Sequence, residues 1–211
     1  CLFKKDILKI KIKKNLKKTN KNTLLRSVFI EEFLKYIPNN SRIISTTGYT
    51  SRELMQIRSE KKIKKSKDFY MVGGMGHSSS VALGYALSSK KKTFCLDGDG
   101  SVLMHLGALR TIGHNKNHNF KHIIFNNNSH ESVGGQPTNA LGINFKNLVK
   151  SLGYQNYFKI SNFKEIKKKL KFFFNNKGPS FLEVKIKNGT MKVLTRPKNL
   201  KNIKNIFMSN Q

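Results

Sequence analysis

The stretch Thr93-Phe94-Cys95-Leu96-Asp97-Gly98-Asp99-Gly100-Ser101 runs from a short apolar segment directly into two glycines flanking an aspartate. Thr93–Asp97 is predicted as a strand and Val102–His114 as the helix that follows it. The same alternation repeats on either side. Strands are expected at Arg42–Thr46, Lys121–Asn126, Asn156–Ile160 and Phe181–Lys187. Helices are expected at Ser51–Ser59, His77–Ser89, Phe145–Leu152 and Phe163–Phe174. An earlier helix carries Leu24, Leu25, Val28, Phe29, Phe33 and Leu34 at helical spacing and should stop before Pro38. In the Phe163 helix, Phe163, Ile166, Leu170 and Phe173 share one face, and Asn162 with Glu165 resembles a capping pair. Strands alternating with helices of this length specify an α/β fold, a parallel sheet with helices on both faces. No internal repeat of a solenoid type is visible.

The chain has 211 residues, with 41 Lys and Arg against 11 Asp and Glu and a formal charge of +30. That length accommodates one domain or two small ones, and 37% hydrophobic residues suffice for a core. Two cysteines, Cys1 and Cys95, cannot make a disulfide framework, and there is no C-x-x-C motif. The apolar run Val81–Leu87 is far shorter than the ~20 residues of a membrane span. These features point to a soluble protein of a reducing compartment, the cytoplasm. The chain begins at Cys1 rather than Met, so the natural N-terminus is expected to lie upstream. Residues 1–22 read as a basic linker, 23–197 as the folded domain and 198–211 as a basic C-terminal tail. Such charge invites a nucleic-acid-binding reading. Only six of the basic residues are arginine, however, and Lys and Asn are abundant together, as a coding bias on solvated surfaces produces. Arg is the residue preferred for bidentate phosphate and base contacts. The charge is therefore read chiefly as solvated surface.

Ligands of open α/β sheets bind at the carboxyl ends of strands. There, Gly98 and Gly100 allow close backbone approach to an anion, and the following helix start offers N–H donors. Asp99 between them makes sense beside an anion only if a divalent cation bridges the two. An ordinary Gly-Asp turn before a helix is the alternative for these residues alone. Neither a G-x-G-x-x-G fingerprint nor a G-x-x-x-x-G-K-[ST] loop is present. The next strand ends in Asn126-Asn127-Asn128-Ser129, with Asn127 lying 28 positions beyond Asp99. One crossover unit separates them, so adjacent parallel strands would bring both to one edge. A carboxylate, an amide oxygen, a backbone carbonyl, diphosphate oxygens and water would suit Mg²⁺.

Gly98-Asp99-Gly100-Ser101 followed by Asn126-Asn127 resembles the thiamine diphosphate and Mg²⁺ motif of thiamine diphosphate-dependent enzymes. The segments Ser45–Gly48 with Ser51–Leu54, Gly73-Gly74-Met75-Gly76-His77, Gly98–Gly107, Asn119–His122, His130–Thr138 and Gly178–Val184 are similar to the phosphonopyruvate decarboxylase family. The resemblance runs from about Thr23 to Pro197 and covers that family's diphosphate-binding domain, without the pyrimidine-binding domain. It implies that Asp99 and Asn127 bind Mg²⁺ through side chains and Ser129 through its carbonyl. It implies further that Gly98, Gly100 and Ser101 hold the diphosphate, with Thr47 and Gly48 closing the other side. Met75, within the turn Gly73, Gly74 and Gly76 make, would prop the cofactor in its bent shape, and the Gly73 carbonyl would accept from the aminopyrimidine. Asn128 stands where the family often has glycine, and Thr195-Arg196-Pro197-Lys198 matches its C-terminal signature only in part.

His77 and His130 lie in cofactor-adjacent segments, where imidazole suits proton transfer or phosphonate binding, or simply structural hydrogen bonding. His105 and His122 occupy the neighbouring helix and strand, while His114 and His118 sit in a polar loop and read as surface. Arg52 is a candidate for the substrate's anionic tail. The resemblance implies decarboxylation of 3-phosphonopyruvate to phosphonoacetaldehyde and CO₂, as in phosphonate biosynthesis. Sulfopyruvate or another small 2-oxo acid with an anionic tail is the alternative substrate. A pyrimidine-binding domain or subunit carrying an activating glutamate would have to complete the site in a homo- or hetero-oligomer.

Overall fold

Every residue of Phe120–Asn126 is buried, as a central strand of a parallel sheet covered on both faces requires. The computed structural model describes residues 24–61, 63 and 67–209. The basic linker expected over residues 1–22 lies outside the described residues. The elements follow in the order α1 (Arg26–Tyr36), β1 (Arg42–Ser45), α2 (Tyr49–Glu60), β2 (Lys67–Tyr70), α3 (Ser78–Ser88), β3 (Thr93–Gly98), α4 (Asp99–Met104), α5 (Gly107–Asn115), β4 (Phe120–Asn126), α6 (Phe145–Ser151), β5 (Asn156–Ile160), α7 (Ile166–Asn175), β6 (Ser180–Lys185) and α8 (Leu200–Met208).

The six strands form one sheet in the order β2-β1-β3-β4-β6-β5, and every pairing is parallel. From β1 the chain goes to β2 on one side and β3 on the other. The reversal between β1 and β3 opens a crevice at their carboxyl ends. Successive strand residues point to opposite faces and feed two cores. Ile43, Phe94 and Leu96 join α1, α2 and α7, whereas Ile44 and Cys95 join α3, α5, α6 and α8. In the first core Phe33 packs edge-on to Phe94 at 5.2 Å and against Phe174 at 5.9 Å. No helix among the described residues is long and apolar enough to cross a membrane.

The sheet, its parallel sense and its two helical layers agree with the sequence reading; four local features differ. The expected helix Val102–His114 is two helices, broken at His105 (φ −134°, ψ 52°). The break carries the His105 ring onto Gly76, where an added Cβ would lie 2.4 Å from it. Strand β2 has no apolar run. It is an edge strand, held by buried Asp68 accepting from Arg58 Nε and Nη2 at 2.9 and 3.3 Å. Phe163 is exposed, because it falls in a single 3-10 turn before α7 rather than on the helix face. The capping interaction survives there: Asn162 Oδ1 accepts from Glu165 N–H at 3.2 Å. Residues 200–208, expected within a basic tail, fold as α8. Its Phe207 is buried against Phe69 and Tyr85, with ring centroids 5.3 and 5.0 Å away. Interspersed lysines hid that single anchoring face.

Gly113 on α5 packs directly on the α6–β5 connection, where an added Cβ would lie 2.0 Å from the Leu152 carbonyl oxygen. Gly→Ala inside a helix ordinarily stabilises by about 0.5–1 kcal/mol. Here the sign should reverse. Gly113→Ala is expected to cost about 1–3 kcal/mol through overpacking, measured by urea denaturation.

Candidate functional site

Asp99 opens α4 at the crevice between β1 and β3, and it is only 2% exposed. Its Oδ1 accepts from Gly100 N–H at 2.9 Å. Its Oδ2 accepts from Asn128 N–H at 2.7 Å and from Thr138 Oγ1 at 3.0 Å. Burial pushes its carboxyl above the ordinary value, and the hydrogen bonds from Gly100, Thr138 and Asn128 work against that rise. A carboxylate has about four lone-pair positions, so one remains on Oδ1.

Asn127 and Ser129 follow β4 beside it. Asn128 between them has φ 57°, in the left-handed region that asparagine tolerates better than most residues with a side chain. Asn127 Oδ1 accepts from Ser129 N–H at 3.1 Å, while its Nδ2 donates to Glu131 Oε2 at 3.4 Å. Glu131 thereby sets which end of the amide faces the loop. The side-chain oxygens of Asn128 and Ser129 are buried without a hydrogen-bond partner. A cavity of about 70 Å³ joins Thr46, Thr47, Met75, Gly98, Asp99, Gly100, Ser101, Asn127, Ser129 and His130. Loops from β1, β2, β3 and β4 therefore meet at one point.

Ser101 ties these loops together. Its Oγ lies 3.0 Å from Thr46 Oγ1 and accepts from Gly76 N–H at 3.1 Å. Gly98 N–H is donated to Asp97 Oδ1 at 3.0 Å. Gly100 leaves room for its neighbours: an added Cβ would lie 2.4 Å from the His130 ring and 2.8 Å from the Thr138 methyl, so those side chains would have to shift. Gly73, Gly74 and Gly76 all have positive φ (71°, 55° and 90°) and form the turn that presents Met75. Met75 also lines a second cavity of about 270 Å³, together with Thr47, Gly48, Gly73, Arg52 and Ser132. Thus His130 reaches the Asp99 cavity and Arg52 the second. His77 is exposed at the head of α3, with its ring 4.1 Å from that of His105, and lines neither cavity.

The profile "Thiamine pyrophosphate enzyme, C-terminal TPP binding domain" matches residues 46–184, which begin just after β1 and include β2 through β6 apart from the last residue of β6. The chain belongs to the thiamine pyrophosphate enzyme family. Among its relatives, the phosphonopyruvate decarboxylase of Streptomyces viridochromogenes is 33% identical over 173 residues, 82% of this chain and 42% of that protein. The phosphonopyruvate decarboxylase of Streptomyces hygroscopicus matches equally, so the chain spans about two fifths of the length of these relatives. Sulfopyruvate decarboxylase subunit beta of Methanocaldococcus jannaschii is 34% identical over 59% of this chain and 64% of its own length. A solved structure described as a candidate thiamin diphosphate-dependent enzyme from Mycobacterium smegmatis superposes with a TM-score of 0.65. It is 17% identical and covers 79% of this chain and 32% of that one, a likeness of fold.

Several residues around these cavities carried no expectation from sequence. Thr138 and Glu131 lie within a recognisable segment, but spacing does not reveal that they touch Asp99 and Asn127. Asp97, fully buried below Gly98, faces His122 at 3.4 Å, and His122 Nδ1 lies 3.0 Å from the Tyr154 hydroxyl. Burial would push the Asp97 carboxyl up, but the His122 and Gly98 contacts hold it below the ordinary value. Arg26 left no signal at all. It comes from α1, is 4% exposed, lines the Asp99 cavity and reaches Glu131 Oε2 at 2.7 Å and Glu53 Oε2 at 3.4 Å. Glu53 Oε1 also accepts from Met191 N–H at 3.0 Å, and Glu131 Oε1 accepts from Gly189 N–H.

Removing Arg26 leaves two carboxylates without their cation. Arg26→Met is expected to destabilise the fold by about 3–5 kcal/mol near pH 7.5. Burial lifts the Glu53 carboxyl above its ordinary range, so the folded chain holds that proton more tightly than the unfolded chain. Stability linked to this group therefore increases as pH falls from neutral toward the unfolded value of 4.5. The Arg26→Met penalty should accordingly shrink at pH 5 relative to pH 7.5 in paired denaturation curves.

Proposed function

We propose that this chain supplies the diphosphate-binding half of a thiamine diphosphate- and Mg²⁺-dependent decarboxylase of a small 2-oxo acid with an anionic tail, 3-phosphonopyruvate above all. One observation carries the reading. Asp99, Asn127 and Ser129 converge on a single cavity at the sheet's reversal point. The donor set fits a hard cation: a carboxylate with one lone pair left, an amide oxygen with a single donor, and unpartnered buried oxygens beside them.

In this reading Asp99 and Asn127 hold Mg²⁺ through side-chain oxygens and Ser129 through its carbonyl. Thr47, Gly48, Gly98, Gly100 and Ser101 enclose the diphosphate, and Thr138 and Glu131 keep the two metal-binding side chains oriented. Met75 and the Gly73 carbonyl take the organic end of the cofactor. Bound thiamine diphosphate supplies the nucleophile and the electron sink for loss of CO₂. His130, packed on Gly100, is the better placed of the two histidines to hold or move a proton. His77 would act from the rim with His105.

Residues 23–197 then form the cofactor domain. A pyrimidine-binding domain or subunit brings the activating glutamate in this reading: among the described residues the cavity's acids are Asp99, which holds the metal, and Glu131, which is engaged by Arg26 and Asn127. The relatives named as separate beta subunits support a two-chain arrangement. The Ser132–Pro137 run and His105 favour phosphonopyruvate over sulfopyruvate.

Calorimetric titration of the chain with thiamine diphosphate tests the site. Binding should require Mg²⁺, and Asp99→Ala should weaken it by about 100-fold or more, as loss of a direct metal ligand exceeds the 10–100-fold effect of an outer partner. Equal binding by Asp99→Ala, or binding undiminished by chelator, would refute the metal assignment. Mixed with a pyrimidine-binding partner, the wild-type chain should release CO₂ from phosphonopyruvate, and neither component should do so alone.

A further inference from the structure

The six arginines divide into two groups. Arg26 and Arg58 are paired with carboxylates, and Arg42 and Arg110 donate to backbone carbonyls. Arg52 and Arg196 have no carboxylate partner among the described residues, and both line the second cavity, the one of about 270 Å³. Arg52 stacks over the Tyr49 ring at 5.6 Å, which limits its freedom without consuming its donors. Among the described residues no acid lines this cavity; its remaining wall is apolar or hydroxylic, including Met71, Val72, Val133 and Ser132. It shares Thr47, Met75 and Ser132 with the Asp99 cavity, so its contents lie next to whatever fills that one.

Arg196 comes from far along the chain, beyond the residues the family profile matches. The segment that delivers it is fastened at both ends. Before it, Gly189 N–H is held by Glu131, Met191 N–H by Glu53 and the Lys192 carbonyl by Gln56 Nε2. After it, Pro197 also lines the cavity, and α8 anchors on β2 through Phe207. The Arg26–Glu53–Glu131 network thus has a second consequence, since it fixes the path that brings a guanidinium to the cavity. In a chain where lysine so outnumbers arginine, two planar guanidinium forks without carboxylate partners, facing one space, match a tetrahedral, multiply charged oxyanion that can accept from both.

Resting on the decarboxylase reading above, we infer that Arg196 joins Arg52 to bind the anionic tail of the 2-oxo acid, and that the pair selects a doubly charged phosphonate over a singly charged sulfonate. The tail is thereby held one cavity away from the metal. Arg196 is a specificity-determining residue, and its neighbour Pro197 holds the local backbone in a restricted conformation.

The probes are phosphonoacetate and sulfoacetate, titrated into the full chain with and without thiamine diphosphate and Mg²⁺. The wild type should bind phosphonoacetate about tenfold or more tightly than sulfoacetate. Arg196→Gln should lose about tenfold or more of the phosphonoacetate affinity, the worth of a charge-assisted hydrogen bond. Its thiamine diphosphate affinity should change by less than about twofold. Arg196→Lys should recover only part, because charge returns without the fork. Arg52→Gln should weaken phosphonoacetate similarly, and circular dichroism melting verifies that each variant is folded. Three results would overturn the inference: phosphonoacetate affinity unchanged in Arg196→Gln, a parallel loss of thiamine diphosphate affinity, or no phosphonoacetate binding by the folded wild type. If the cofactor fails to bind while phosphonoacetate binding still depends on Arg196, the decarboxylase reading fails and the arginine pair stands.

Discussion

A carboxylate buried at the carboxyl edge of a parallel sheet must be satisfied, and the satisfaction of Asp99 organises the surrounding loops. Its three donors come from the start of α4, from the turn after β4 and from Thr138, at the far end of the loop that turn begins. Each donor fixes the backbone that bears the next functional group. Asn128 N–H reaches Oδ2 with Asn128 in the left-handed region, between Asn127 and Ser129. The same carboxylate lies between a buried apolar sheet and the open crevice. Leaving a donor out would strand a buried charge, which is costlier than any of the individual hydrogen bonds is favourable. One anionic group therefore joins the loop after β3 and both ends of the loop after β4 into a single preorganised surface.

The Arg26 network extends that order across the first core face. Arg26 reaches from α1 to Glu53 on α2 and to Glu131 after β4, and both acids hold backbone N–H groups of the segment after β6. Glu131 is the junction, since it also receives the Asn127 amide. Helix placement on the sheet and amide orientation at the crevice are thus coupled through one partly buried carboxylate. On the opposite face, Asp97, His122 and Tyr154 form a buried polar chain below Gly98. The glycine turn of the crevice rests on polar contacts from inside the sheet, whose strength is increased by the low-dielectric surroundings.

Motif spacing reads local chemistry well and long-range partnership poorly. Gly98, Asp99, Gly100 and Asn127 were legible because a strand–turn–helix unit brings residues one crossover apart to the same sheet edge whatever the rest of the chain does. Glu131 and Thr138 sat inside a visible segment, yet their contacts depend on how a loop folds back, as in the bridge between Ser129 and Pro137. Arg26 was invisible, because a basic residue on an amphipathic helix in a lysine-rich chain differs from its neighbours only in what it meets. The same background obscured β2, whose place is held by Arg58 and Asp68 rather than by an apolar run, and α8, which is anchored through Phe207.

Periodicity, glycine placement and the Asp-to-Asn spacing were enough to specify a parallel α/β sheet, the strands that form its centre and the sheet edge at which Asp99 and Asn127 meet. These features arise from contacts between residues close in sequence or separated by one βαβ unit, and each such unit has essentially one hand and one arrangement. The strand order beyond that unit, the buried ion network, the break at His105 and the arrival of Arg196 at the cavity that Arg52 lines were decided by tertiary packing. Those pairings span 100 or so residues, as Arg26 and Glu131 do. Which distant charges meet depends on the completed sheet, because a buried charge takes whichever partner the fold brings within reach.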